Sequence, residues 1–216
     1  MDFEVVIFDL DGTLLDTLDD ITDTANGVLA RHGFPAHEKD AFRYFIGDGV
    51  DELFRRALPS GSRGEELVSR CVSGFRETYE ETWNNKTKPY PQIAELLDEL
   101  ENRGLKIAVL SNKPHDFTRT CVDELLSGWH FFAVLGARDG YPLKPDPAPA
   151  VEIVNRAGTV PARVVYVGDS AVDMETATRA GMFPVGALWG FRTREELEAN
   201  GARVVIENPL DLLRYL

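Results

Sequence analysis

The chain has 216 residues, of which 44% are hydrophobic and 10% aromatic, enough to bury one full core or one domain carrying an insertion. Its formal net charge of -13 argues against non-specific attachment to nucleic acid or an anionic membrane, both of which need clustered Lys and Arg, and no apolar run of about eighteen residues offers a membrane span. The two cysteines, Cys71 and Cys121, are too far apart to suggest a disulfide framework or a thiolate zinc site, and the opening MDFEVV has neither a basic region nor a long apolar run, so a soluble, unexported protein of the reducing cytoplasm is expected.

In chain order, the first apolar run is VVIF from Val5, which ends in Asp9-Leu10-Asp11-Gly12-Thr13. From 16 to 88 no strand pattern occurs; four helical patterns follow one another at 18–32, 39–45, 50–58 and 65–83. That interval is too long for a loop and too helical for a linker, which marks an inserted helical domain. A helix at 91–103 then leads to the strand IAVL at Ile107, followed by Ser111-Asn112-Lys113. Beyond it come a helix at 114–126, the strand FFAVL at Phe131, the loop YPLKPDP with Lys144, and a helix at 147–157. The strand VVYV at Val164 runs into Gly168-Asp169-Ser170 and a helix at 171–180 containing Asp173; the strands FPVGAL at Phe183 and RVVI at Arg203 complete the series. Each strand is nearly continuously apolar, as in strands covered on both faces, and strand and helix alternate. These features predict an α/β fold with a Rossmann-like parallel sheet, residues 1–15 and 89–216 forming the core domain and 16–88 the helical insertion.

In an open parallel sheet the ligand crevice lies outside the carboxyl ends of the strands. Reading those positions gathers Asp9, Asp11, Thr13, Ser111, Asn112, Lys144, Asp169 and Asp173 from distant parts of the chain. A single aspartate at a strand end is commonly a turn or helix-cap residue. Four acids with two short hydroxyl residues, a lysine and no nearby His or Cys instead suit a hard, oxygen-seeking cation such as Mg2+ together with a phosphate. A carboxylate can take a phosphoryl group covalently, a second carboxylate two residues away can act as general acid and base, and Gly12 lets the chain turn between them.

The ordered motifs DLDGT at Asp9, SNK at Ser111, KPDP at Lys144 and GDSAVD at Gly168 resemble those of the haloacid dehalogenase superfamily, in its phosphoglycolate phosphatase-like branch. The resemblance implies a Mg2+-dependent phosphatase of small phosphorylated metabolites that works through an aspartyl phosphate, with 2-phosphoglycolate the best single substrate. It implies Asp9 as nucleophile and metal ligand, Asp11 as acid/base and as ligand through its main-chain carbonyl, and Asp169 as a further ligand, with Thr13 and Asp173 behind them. Ser111 and Lys144 would hold the phosphoryl group, with Asn112 a phosphate or substrate contact. The insertion 16–88 would be the family's helical cap, closing on the core to exclude water, and RYFIGDG within it resembles the cap's substrate loop, which assigns Arg43, Gly47, Asp48 and Gly49 to substrate binding.

A pyrophosphatase, a sugar-phosphate phosphatase or a nucleotide phosphatase would share the core motifs and differ only in the cap. A β-phosphoglucomutase is disfavoured by Thr13, where those mutases typically carry Val, and a dehalogenase by Asp11. A phospho-acceptor receiver module, the non-enzyme alternative, lacks both a helical insertion and a late GDSxxD. The expected partner is a small phosphorylated metabolite, with neither nucleic acid nor membrane, and the expected assembly a monomer or homodimer.

Overall fold

The computed structural model describes residues 2–216. In chain order the elements are β1 (Val5–Phe8), β2 (Leu15–Asp16), α1 (Leu18–Arg31), α2 (Lys39–Phe45), α3 (Val50–Ala57), α4 (Glu65–Thr82), β3 (Lys88–Pro89), α5 (Ile93–Asn102), β4 (Lys106–Pro114), α6 (His115–Leu125), β5 (Phe131–Ala137), α7 (Ala148–Ala157), β6 (Val164–Gly168), α8 (Ala171–Ala180), β7 (Phe183–Ala187), α9 (Arg194–Ala199) and β8 (Val204–Ile206). Short 3-10 turns lie at Ser60–Ser62, Pro161–Arg163 and Pro209–Arg214. The chain forms two compact units, one reaching to Leu15 and resuming over Pro89–Leu216, the other Asp16–Lys88. Among the described residues no helix is long and apolar enough to cross a membrane.

The first unit is built on a six-stranded sheet of order β5-β4-β1-β6-β7-β8, every neighbouring pair parallel. β1, β4 and β6 are its centre, in register Val5–Lys106 and Val5–Val164. Side chains alternate between the two faces of a strand. Val5 and Ile7 join Ala108, Leu110, Val164 and Tyr166 in one apolar cluster with Ile153 and Val154 of α7 and Ala177 of α8. Val6 and Phe8 point to the other face and are equally buried, as are Leu96, Leu97 and Leu100 of α5. A strand buried on both sides has no use for polar alternation, which is why β1 reads VVIF. Polarity begins where β1 stops, at Asp9.

Crossing from strand to helix and back requires sharp stops. Gly158 closes α7 and Gly181 closes α8, both in the left-handed conformation (φ 69° and 73°). At the start of α8 the Ser170 main-chain N–H and hydroxyl donate to Asp173 Oδ2 at 3.1 and 2.6 Å, a reciprocal cap that fixes the Gly168–Asp173 turn. β4 is longer than the four apolar residues predict: it runs to Pro114, with a register shift against β5 between Leu110 and Pro114, so Ser111, Asn112 and Lys113 lie within the strand. Helix α9 and the two-residue strands β2 and β3, which form a sheet of their own, leave no distinct sequence pattern.

The second unit is helical between Asp16 and Lys88, its end residues, which belong to β2 and β3. In its interior Phe54 meets Phe75 edge-on, with ring centroids 5.9 Å apart, and Phe75 stacks on Tyr79 at 5.0 Å, while Phe42, Phe45 and His37 form a second aromatic group. Asp20, buried in α1, accepts hydrogen bonds from the Lys86 and Thr87 main-chain N–H groups and from the Thr87 hydroxyl, at 2.8–2.9 Å, which ties the end of the unit to its first helix.

Candidate active site

Asp9 follows β1, the central strand, and the sheet's parallel order brings the ends of β4 and β6 to either side of it. The Asp9 side chain is 11% exposed; its Oδ1 accepts from the Leu10 N–H at 2.7 Å and lies 2.9 Å from Lys144 Nζ. Lys144 is fully enclosed. Its Nζ also meets Asp173 Oδ1 at 2.7 Å and donates to the Leu110 carbonyl at 3.1 Å, so one ammonium binds together the ends of β1, β4 and β6. Carboxylate oxygens of Asp9, Asp169 and Asp173 all lie within 4.8 Å of one another.

Asp169 is positioned on both oxygens. Oδ1 accepts from the Thr13 hydroxyl at 2.9 Å, and Oδ2 from the Phe191 main-chain N–H at 2.8 Å. The packing is close enough to demand glycine on two sides. A Cβ at Gly12, which has φ 87°, would stand 2.4 Å from Asp169 Oδ2; one at Gly190 would stand 2.3 Å from the Asp169 Cβ and 2.4 Å from the Gly12 carbonyl. The Trp189 indole N–H donates to the Thr13 carbonyl at 2.9 Å, which clasps the loop after β7 onto the DLDGT turn.

Burial dominates the electrostatics. It pushes the Asp9 carboxyl well above the usual carboxylate range, with Asp173 adding to the rise and Lys144 opposing it. Burial and Asp173 push Asp169 up to about 7, against the pull of the Phe191 and Thr13 donors. For Lys144 burial works against the charge, but Asp173 and Asp9 outweigh it and hold the ammonium well above its ordinary value. Four carboxyl groups, those of Asp9, Asp11, Asp169 and Asp173, face the ammonium groups of Lys113 and Lys144, with the Arg192 guanidinium also acting on Asp169, so the acids outnumber the cations. An all-oxygen donor set with that excess fits one hard divalent cation.

The structure brings these strand-end residues together and adds contacts between them that the sequence pattern does not show. Asp173, expected behind the ligands, has a carboxylate oxygen within 4.8 Å of those of Asp9 and Asp169, and its own oxygens are held by Lys144 on one side and by the Ser170 main-chain N–H and hydroxyl on the other. Thr13 braces Asp169. The Asn112 amide, expected on phosphate or substrate, has protein partners: it donates to the Lys144 carbonyl at 3.0 Å and accepts from the Lys144 N–H at 2.9 Å, tethering the KPDP loop to β4. Ser111 Oγ accepts from the Lys113 N–H at 3.2 Å, which leaves its own proton to be donated elsewhere. Asp11 pairs with Lys113, whose Nζ lies 3.1 and 3.4 Å from the two carboxylate oxygens. Lys113, Trp189 and Phe191 carry no site role in the sequence pattern; the signal for them is their place, Lys113 in the carboxyl-terminal part of β4 and the two aromatics just past the end of β7. Arg43, Gly47, Asp48 and Gly49 belong to the helical unit. Arg43 pairs there with Asp40 and Asp48 with Arg56 at 2.5 Å, while Gly47 and Gly49 take φ of 128° and 89°.

The model of the haloacid dehalogenase-like hydrolase family matches residues 6–187, from β1 to the end of β7. The chain belongs to that family. It is 32% identical to a phosphoglycolate phosphatase of Aquifex aeolicus over 212 residues, covering 98% of this chain and 96% of the relative, and 32% identical to phosphoglycolate phosphatase 1 of Pseudomonas aeruginosa over 97% of this chain and 78% of the relative. Among solved structures, a Lactobacillus delbrueckii subsp. bulgaricus protein superposes with a TM-score of 0.91 at 30% identity, covering 100% of this chain and 98% of the other. A predicted phosphoglycolate phosphatase from Haemophilus somnus gives 0.90 at 26%, with the same coverage.

Proposed function

We propose that the protein is a Mg2+-dependent phosphomonoesterase that hydrolyses 2-phosphoglycolate through a phosphorylated Asp9. The observation that carries this reading is the Asp9 carboxylate, held at the end of the central strand between a buried ammonium and two further buried carboxylates. Relatives named phosphoglycolate phosphatase, matched over 97% and 98% of this chain, support the choice of substrate.

Asp9 and Asp169, with the Asp11 carbonyl, are the groups that would hold the cation, with Asp173 behind them on Lys144 and Ser170. Bound there, Mg2+ supplies the positive charge that lets an anionic nucleophile approach an anionic phosphate. An Asp9 carboxylate oxygen attacks phosphorus; the P–O bond to the leaving group breaks, and the Asp11 carboxyl gives its proton to the departing oxygen. Water then attacks phosphorus, the bond to Asp9 breaks, and Asp11 takes the water's proton, which restores both groups. Lys144 neutralises Asp9 and, with the Ser111 hydroxyl, holds the phosphoryl oxygens. Residues 16–88 act in this reading as the lid that excludes water and sets selectivity through Arg43, Gly47, Asp48 and Gly49.

The test is a comparison of kcat/KM across phosphorylated metabolites, with pyrophosphate, glucose 1-phosphate and nucleoside monophosphates beside 2-phosphoglycolate. The highest value is expected for 2-phosphoglycolate. A higher one for a sugar phosphate, a nucleotide or pyrophosphate would replace it as substrate, and absence of hydrolysis of any phosphate in the presence of Mg2+ would overturn the reaction.

A further inference from the structure

The site contains a second buried ammonium that the hydrolytic steps leave without a task. Lys113 is 8% exposed and its Nζ contacts both carboxylate oxygens of Asp11, the residue proposed to protonate the leaving oxygen. Lys144 already serves the nucleophile.

We propose that Lys113 is the leaving-group specificity residue, and that it selects phosphate esters of 2-hydroxy acids by binding their carboxylate. The proposal rests on the phosphatase reading above. In such a substrate the ester oxygen and the carboxylate are attached to the same carbon. A group that donates a proton to the ester oxygen and a cation that meets the carboxylate must therefore be immediate neighbours, and Asp11 and Lys113 are in contact at 3.1 Å. An ammonium has three N–H donors, so Lys113 can hold Asp11 and a substrate carboxylate together. Burial strengthens that recognition, because a carboxylate entering this space loses water and keeps only the partners the protein offers. The Lys113 main chain is fixed as well, its N–H on Ser111 Oγ and its carbonyl on the Thr118 hydroxyl. The selection then comes from β4 of the sheet unit, in addition to any contribution from the helical unit.

The experiment compares 2-phosphoglycolate and 2-phospholactate with ethyl phosphate, whose leaving group is neutral, for the wild-type chain and for Lys113→Met and Lys113→Arg. Loss of a charge-assisted contact predicts that Lys113→Met lowers the ratio of kcat/KM for 2-phosphoglycolate over ethyl phosphate by about 10- to 100-fold, chiefly through KM, while Lys113→Arg keeps part of the preference. The full-length wild-type protein gives a second readout without substitution: glycolate should inhibit competitively, and ethylene glycol at the same concentration should not. An equal loss on both substrates in Lys113→Met, or equal inhibition by the acid and the diol, would overturn the proposal and leave Lys113 as the partner of Asp11 alone. Wild-type hydrolysis of ethyl phosphate as efficient as that of 2-phosphoglycolate would also overturn it, with the phosphatase reading intact; failure to hydrolyse either would remove that reading itself.

Discussion

Replacing Lys144 with Met keeps the length and apolar stem of the side chain and removes one charge. Two buried carboxylates, Asp9 and Asp173, then lose the ammonium that lies 2.9 and 2.7 Å away, and the Leu110 carbonyl loses a donor. Taking one partner from a buried ion pair costs roughly 3–5 kcal/mol, because the charge left behind is neither solvated nor paired. At roughly 2–4 °C per kcal/mol for a chain of this size, the melting temperature of the cation-free protein should fall by about 6–20 °C. The loss should also deepen with pH. Lys144 is what opposes the rise of the Asp9 carboxyl, so without it Asp9 is held protonated still further above its ordinary range; the folded chain then binds more protons than the unfolded one and stability declines as pH rises. Urea denaturation of wild type and variant in chelator, at pH 5 and pH 8, measures both effects. The double variant Lys144→Met/Asp9→Asn should recover part of the loss, since it removes one stranded charge. A cost below about 1 kcal/mol at pH 8 for the single variant, or no recovery in the double, would refute the reasoning that this ammonium neutralises the cluster.

The raised Asp9 and Asp169 carboxyls give a second expectation. Asp169 stands at about 7 in the folded protein against an ordinary value of 3.8, so in the absence of a cation its contribution to stability falls as pH rises between those values. Mg2+ competes with those protons; its stabilising effect should grow from pH 5 to pH 8, and calorimetry in buffers of different ionisation enthalpy should detect proton release on binding. Pre-treatment with chelator should silence hydrolysis and Mg2+ should restore it. Trp189→Phe removes the donor to the Thr13 carbonyl, loosens the turn that braces Asp169, and should weaken Mg2+ affinity about 10-fold in a direct titration. Asp11→Asn should depress kcat strongly for 2-phosphoglycolate and far less for p-nitrophenyl phosphate, whose leaving group needs no proton; equal losses would contradict the acid role.

The parts of the fold that local chemistry specifies were legible in the sequence. The apolar, β-branched VVIF can form only a strand covered on both sides, and KDAFRYF has the spacing of the helix found at Lys39–Phe45. The rule that parallel strands present their carboxyl ends to the ligand was enough to collect Asp9, Ser111, Lys144 and Asp169 before any distance was known. The pairings between them were not legible, because they join residues far apart in the chain. Lys113 reaches Asp11 across 102 positions, Thr13 reaches Asp169 across 156 and Trp189 reaches Thr13 across 176. No periodicity records such a contact. Asn112 shows the same limit: nothing in its sequence neighbourhood announces that its amide tethers Lys144, 32 positions away.

The account depends on Asp9 carrying the phosphoryl group during each turnover. Rapid acid quenching of the Mg2+-loaded enzyme during turnover of 2-phosphoglycolate, followed by proteolysis and mass spectrometry, tests this directly. The expected result is a peptide heavier by one phosphoryl group, with the modification on Asp9 and absent from the inactive Asp9→Asn variant. Phosphate on another residue, or full turnover by Asp9→Asn with no phosphorylated peptide, would contradict it.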